Sequence, residues 1–334
     1  MRKLSVFAIG VISCAFALGG QGVCTASADA PIIYLGGMAA GFTLKSGGVQ
    51  VVGLCEVMTE NGVRAPASNA GLRSGDTIVK IEGITVESIA QLNEIVDKSK
   101  GNEVEVEVQR GGEIQRAEIA PAKDKNTNRY KIGILARDSV SGIGTVTYID
   151  KSNNRFGALG HAVTGENKQE LKIADGFIYS CSVVGVSKGV RGKAGELRGM
   201  FLNDKTFGKA EKLCNCGIFG SISNDFAEDG LTKTVVDSHS VAPGKAFIYS
   251  TVNGTKPQRY SIEIVKVDKN NKENKNYVIK VTDTELIEQT GGIVQGMSGS
   301  PIVQNDKLVG AVTHVFLNDP TRGYGIDIET MMRE

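Results

Sequence analysis

The sequence predicts a mostly-β protein of two domains behind an N-terminal leader. Three observations carry that reading. Glycine is abundant, at 42 of 334 residues, tryptophan is absent, and short runs rich in β-branched residues alternate with glycine turns. The length suffices for two ordinary domains once a leader is set aside. A polar, turn-rich stretch, Lys123-Asp124-Lys125-Asn126-Thr127-Asn128-Arg129, reads as a linker between them. The expected boundaries are a leader over residues 1–28, a first domain over 32–122 and a second over 130–334. With 38 basic and 37 acidic side chains, the charge balance gives no sign of a nucleic-acid partner.

The leader begins Met1-Arg2-Lys3, continues through an apolar run from Leu4 to Leu18, and ends in small residues through Ala26-Ser27-Ala28. A positive start, a short apolar centre and an A-x-A end are the parts of a secretory signal. An uncleaved anchor reaching into Gly19-Gly20 is the alternative, and both place the bulk of the chain outside the cytosol. Cys24 lacks the small residue before it that a lipoprotein signal needs, and Cys14 lies deep in the apolar run. Beyond the leader stand Cys55, Cys181, Cys214 and Cys216, an even number that permits disulfides. Cys214-Asn215-Cys216 has no further ligands at zinc spacing, so no metal is expected there. Nothing in the sequence requires a cofactor.

In the first domain, Ala67 to Leu72 reads as a helical turn closed by Gly71. Gly75-Asp76 turns into a strand, Thr77 to Ile81, with alternating apolar positions. Ser88 caps an amphipathic helix with Ile89, Leu92, Ile95 and Val96 on its apolar face. Glu103 to Arg110 alternates charged residues with Val104, Val106 and Val108, and Gly111-Gly112 turns it into Ile114 to Ile119. This order, with Pro66-Ala67-x-x-Ala70-Gly71-Leu72-x-x-Gly75-Asp76-x-Ile78, resembles a PDZ domain. The resemblance implies a groove in which a peptide terminus adds as an extra strand. Ala40, Gly41 and Phe42 would form its carboxylate loop, with Thr43 and Leu44 on the strand.

The second domain reads as many short strands without long helices, the pattern of a β-barrel or sandwich. The expected strands include Ile132 to Leu135, Gly142 to Ile149, Phe156 to His161, Phe177 to Val186, Lys245 to Val252, Tyr260 to Val267 and Tyr277 to Thr282. Near the end, Gly296-Met297-Ser298-Gly299-Ser300-Pro301 leads into a hairpin, Ile302-Val303 and Leu308 to Val312, turning at Asn305-Asp306. A serine between glycines suits a nucleophile on a tight loop, because the turn aims N–H groups at one spot. There Gly296 and Ser298 would hold the oxyanion of acyl transfer. Ser300, beside Pro301, reads as structural.

Serine needs a base, and histidine suits that role near neutral pH. Of three histidines, His161 ends an apolar strand, His314 faces a neighbour or the groove, and His239 lies in a polar loop. Asp204, Asp225, Asp237 and Asp283 all fall between His161 and Ser298, the usual position of an orienting acid in chymotrypsin-like enzymes.

Gly-x-Ser-Gly-x-Pro and Ala158-Leu159-Gly160-His161-Ala162 resemble the serine and histidine regions of chymotrypsin-like peptidases, although Met297 stands where many carry an acidic residue. The whole chain is more similar still to the stage IV sporulation protein B serine peptidases of spore-forming bacteria. Phe156 to His161, Gly296 to Pro301, and the tail Thr313-His314-Val315-Phe316-x-Asn318-Asp319-Pro320-Thr321-x-Gly323-Tyr324-Gly325 carry that likeness. It implies a PDZ domain followed by a chymotrypsin-like double β-barrel, with Ser298 as nucleophile, His161 as base and Asp283 as acid. It further implies an exported endopeptidase acting in the intermembrane space of a developing spore. Such an enzyme would cut a membrane-anchored regulatory protein, trigger a later sporulation programme, and process itself near its N-terminus. The alternatives are a PDZ-containing quality-control protease and an inactive peptide-binding module.

Overall fold

The computed structural model describes residues 32–163, 175–224, 226 and 230–334, so the leader expected at 1–28 lies outside the described residues. Among the described residues no helix is long and apolar enough to cross a membrane. The chain opens with β1 (Ile32–Leu35), β2 (Ala39–Leu54), β3 (Val57–Thr59), β4 (Gly62–Arg64), α1 (Pro66–Asn69), β5 (Thr77–Ile81) and β6 (Ile84–Thr85). Next come α2 (Ile89–Lys98), β7 (Val104–Arg110), β8 (Glu113–Ile119), β9 (Ala122–Lys123), β10 (Tyr130–Lys131), β11 (Ile134–Asp150) and β12 (Arg155–Ala158). Then follow β13 (Gly176–Ser187), β14 (Glu196–Cys214), β15 (Gly217–Ile222), β16 (Lys233–Val236), β17 (Gly244–Ser250), β18 (Gln258–Val267) and β19 (Tyr277–Val281). The last elements are α3 (Thr284–Thr290), β20 (Pro301–Gln304), β21 (Lys307–Phe316), β22 (Asp319–Asp327) and α4 (Ile328–Met332).

The PDZ unit forms as its pattern dictates. Ser88 Oγ accepts the Gln91 N–H and caps α2, which buries Leu92 and Val96. The alternating valines of β7 turn inward to meet Ile78, Ile81 and Val49. Asp76, 1% exposed, accepts two bonds of 2.6 Å from Arg110 and the Arg73 N–H, locking the turn into β5.

Two rings of strands make the rest. In the first, β2, β11, β12, β15, β14 and β13 pair successively, and β13 closes back onto β2. Phe42, Leu44, Val146, Phe156, Ile178 and Ile218 fill it. In the second, β17, β18, β19, β22, β21 and β20 pair in turn, and β20 closes onto β17 around Ile262, Ile279, Met297 and Val312. This is the double barrel that the family resemblance implies, and one of the two architectures that the strand pattern leaves open.

The structure redraws the boundary between the domains. Residues 40–44 of β2 pair with β11 on one side and β13 on the other, so the first barrel takes its opening strand from ahead of the PDZ unit. Ala40, Gly41, Phe42, Thr43 and Leu44 are therefore barrel residues. Ala40, Phe42 and Leu44 are at most 3% exposed, and a β-carbon on Gly41 would lie 2.4 Å from the Phe201 ring. With both strand edges already hydrogen-bonded, no peptide can add there, which corrects the expected carboxylate loop. The cause is register. The two strands expected at 132–135 and 142–149 are one 17-residue strand, β11, which runs alongside the 16-residue β2 with irregularities at Leu135/Ala136 and Arg137/Ser139. The polar stretch 123–129 is the turn of the β9–β10 hairpin, tied by Asp124 to the N–H groups of Asn126 and Thr127 and to Lys131.

Candidate active site

The loop carrying Ser298 is stitched to both barrels. Its glycines turn it sharply, Gly296 at φ +98° and Gly299 at φ +93°. From β11, Thr145 donates its N–H to the Ser298 carbonyl and its hydroxyl to that of Gly296, and the Thr147 hydroxyl binds the Gly299 carbonyl. From the second barrel, the Val312 carbonyl accepts the Gly299 N–H at 2.7 Å. Met297, fully buried, points into the second barrel, which explains a thioether where an acidic residue was the commoner pattern. Within this network the Met297 and Ser300 N–H groups bond inside the loop. The N–H groups of Gly296 and Ser298 have no acceptor among the described residues, so they remain available for a developing oxyanion.

The sharp turn of β20–β21 places the loop. Asn305 and Asp306 adopt φ +53° and +58°, the left-handed pair that a tight hairpin needs. On the opposite wall, β12 ends at Ala158 and the chain leaves it through Leu159 and Gly160, at φ +72° and +73°. A non-glycine residue held in that region is a local strain at a functional position. It delivers His161 past the strand end to the rim of a cavity of about 410 Å³ between the barrels.

Ser298, His161 and His314 line that cavity together. Ser298 Oγ donates to the Thr313 carbonyl at 2.8 Å. His161 Nδ1 lies 2.8 Å from the Ala162 carbonyl. A carbonyl only accepts, so Nδ1 carries the proton and Nε2 is the basic nitrogen. Burial holds the His161 pKa below the usual 6.5, against a smaller opposite pull from that carbonyl, so the ring is neutral at neutral pH. The His314 ring lies 5.0 Å from it, centroid to centroid, and partial burial with the neighbouring His161 pushes its pKa down to about 4. His314 thus faces the groove, as its position after the hairpin suggested. Ser300 is fully buried and absent from the cavity wall.

Asp283 is not brought to this site. Its Oδ1 accepts the Leu286 N–H and its Oδ2 the Ser261 N–H, both at 3.1 Å, making it the N-cap of α3. Its cap role leaves little trace in the sequence, because α3 is short and Asp283 follows closely on β19. Of the other aspartates, Asp237 binds Lys307 at 2.6 Å and the N–H groups of His239 and Ser240. Asp225 and the side chain of Asp204 lie outside what the structure describes. Sequence reasoning missed Thr145 and Thr147, whose hydroxyls hold the serine loop. Their only signal was threonine at alternate positions of an otherwise apolar strand.

Comparison with known proteins gives the following matches. The profile of the SpoIVB peptidase S55 family matches residues 128–332, more than half of the chain, and that of a PDZ domain matches 37–120. The zinc metalloprotease RasP of Shouchella clausii is 27% identical over 154 residues, 42% of this chain. A probable periplasmic serine endoprotease, DegP-like, of Pseudomonas putida is 31% identical over 121 residues, 36% of this chain. The chain spans 36% and 22% of the lengths of these two relatives. Among solved structures, the inactive form of the Rv3671c protease matches at TM-score 0.33 and 14% identity, covering 57% of this chain and 81% of that one. The PDZ domain of an SdrC-like protein from Listeria monocytogenes matches at TM-score 0.22 and 21% identity, covering 27% and 86%.

Proposed function

The chain belongs to the SpoIVB peptidase S55 family, and on that premise we propose that it is a serine endopeptidase whose nucleophile is Ser298 and whose general base is His161. The observation that carries this is the convergence, in one cavity, of a glycine-flanked serine, a neutral histidine with Nε2 unprotonated, and two N–H groups without acceptors among the described residues. In the resting arrangement the Ser298 hydroxyl is turned to the Thr313 carbonyl. Rotation about χ1 would release it toward His161 Nε2, which takes the proton as Oγ attacks the scissile carbonyl. The Gly296 and Ser298 N–H groups would then receive the oxyanion, and His161 would return the proton to the leaving amine. Among the described residues the orienting partner of His161 is the Ala162 carbonyl.

Beside Ser298 the wall is apolar, with Ile143, Ile293, Val294, Val315 and Leu317, so the favoured substrate presents an apolar side chain next to the cut bond. For the biological setting we propose export, guided by the leader pattern at 1–28. Cleavage of a membrane-anchored regulatory protein in the forespore intermembrane space, and self-processing near the N-terminus, follow from the family resemblance.

The test is fluorophosphonate labelling and peptide cleavage by the purified full chain. Labelling at Ser298, abolished in Ser298→Ala and retained in Ser300→Ala, is expected. Labelling at Ser300, or an unlabelled but folded protein, would refute the assignment. Broad cleavage of unfolded casein with no bias toward apolar residues would favour a quality-control role instead.

A further inference from the structure

The turn between β14 and β15 holds a pair of thiols that the proposed chemistry does not use. Cys214 is half-buried and Cys216 is 2% exposed, and their sulfurs lie 3.0 Å apart. Glu334 brings a carboxylate into the same cluster. That trio does not fit a tetrahedral metal well. Zinc–sulfur bonds of about 2.3 Å hold two thiolates about 3.8 Å apart, and the Glu334 carboxylate is already paired with the Lys212 ammonium at 2.7 Å. Burial, with the neighbouring Cys214 and Glu334, pushes the Cys216 thiol well above its usual range, so the attacking group is the more accessible Cys214.

The turn also sits against the candidate catalytic histidine. β15 pairs with β12, Ala158 opposite Ile218. A β-carbon on Gly217 would lie 2.2 Å from the Ala158 carbonyl and 3.2 Å from the Gly160 nitrogen, so Gly217 backs the backbone on either side of Leu159, on the path to His161. On the other side, the Asn215 carbonyl accepts a 2.8 Å bond from Asn274, and Asn215 and Asn274 line a recess with His161 and His314.

We propose that Cys214 and Cys216 form a reversible dithiol–disulfide couple, and that closing it resets the strand end that carries His161. The oxidant is a small-molecule or protein disulfide. The Cys214 thiolate attacks one sulfur of that disulfide, breaking its S–S bond and expelling a thiolate that takes up the proton Cys214 gave up. The Cys216 sulfur, losing its own proton, then attacks the Cys214 sulfur and expels the second thiol. Two protein thiols are oxidised, one disulfide is reduced to two thiols, and atoms and electrons balance. Closing brings the sulfurs about 1 Å nearer than they stand, to the covalent distance. Gly217 follows Cys216 directly and packs on the Ala158 carbonyl, so a change in the turn reaches the strand end that carries His161, and misplacing a catalytic group slows the reaction.

The second half of the proposal rests on the role assigned to His161, so the test reads the two halves apart. The full chain is incubated with oxidised or reduced glutathione and mapped by mass spectrometry, and the rate of fluorophosphonate labelling at Ser298 is measured on each form. A Cys214–Cys216 link in the oxidised form, reversed by reductant, with labelling slowed at least fivefold and no such slowing in Cys214→Ser, is expected. Persistent mixed disulfides at Cys214, or stoichiometric zinc bound by the reduced form and lost in Cys214→Ser, would overturn the couple. A mapped disulfide with an unchanged labelling rate would overturn the coupling to His161. A mapped disulfide in a protein that never labels would uphold the couple and strike the peptidase reading.

Discussion

Replacing Asp283 separates two jobs that a carboxylate before the serine loop could do. In the structure it caps α3 and ties Ser261, with two bonds of 3.1 Å. Asp283→Ala removes both. Loss of an N-cap costs about 1 kcal/mol, and a stranded but water-accessible N–H at Ser261 adds about 1 kcal/mol more. A loss of about 2 kcal/mol lowers the melting temperature by roughly 4–8 °C at the 2–4 °C per kcal/mol found for domains near this size. Asp283→Asn keeps one acceptor oxygen and should lose about half of that. In both variants the folded fraction should keep kcat/KM within about threefold, because neither oxygen touches His161. A triad acid behaves in the opposite way, since its asparagine variant keeps the fold and drops kcat about 10⁴-fold. Calorimetry and single-substrate kinetics on the same preparations decide between them. An Asp283→Asn protein that melts normally and is inactive would refute the cap assignment as its main role.

Other outcomes follow from the same geometry. Burial lowers the His161 pKa, so its basic, neutral form persists to lower pH, and the acid limb of kcat/KM should fall below 6.5; a limb above 6.5 would contradict the buried setting. His161→Ala should lose several orders of magnitude in rate, whereas His314→Ala should retain measurable turnover because the Ala162 carbonyl, not His314, fixes the His161 tautomer. In Gly299→Ala the new methyl would meet the Thr145 carbonyl at 2.1 Å and the Leu159 nitrogen at 2.5 Å, so labelling at Ser298 should fall at least about 100-fold. Asp76→Ala leaves the Arg110 guanidinium without its carboxylate in the PDZ unit and should cost about 3 kcal/mol in denaturant unfolding.

Local chemistry made much of this legible in advance. The Ser88 cap, the alternating valines of β7, the left-handed turn at Asn305-Asp306 and the glycines around Ser298 each need nothing beyond neighbours in the chain. That Ser298 and His161 would meet at one cavity was readable because the sequence has three histidines and only one ends an apolar strand. Long-range register was not readable. Nothing in Ala40 to Leu44 says which strands will flank it, and its buried, unalternating pattern suits a barrel strand as well as a groove. Asp283 misled because a carboxylate at the right distance before a serine looks alike in sequence whether it faces a histidine or a helix end. Thr145 and Thr147 fold back on a loop some 150 positions away, a contact that only the closed barrels create.

Because β2 belongs to the first barrel, the PDZ unit is an insertion between two neighbouring staves of the peptidase. Trimming the chain from its start to a fragment beginning near residue 130 would therefore not yield a free peptidase domain. Such a fragment would have lost a stave between β11 and β13 and would carry two raw strand edges, the usual route to aggregation. A peptidase without its PDZ unit has to be made by excision and rejoining: keep residues 32–45, delete outward, and splice onto β11 near Ser139 with a short turn. Inactivity of a simple truncation would therefore say nothing about whether the PDZ unit activates the serine.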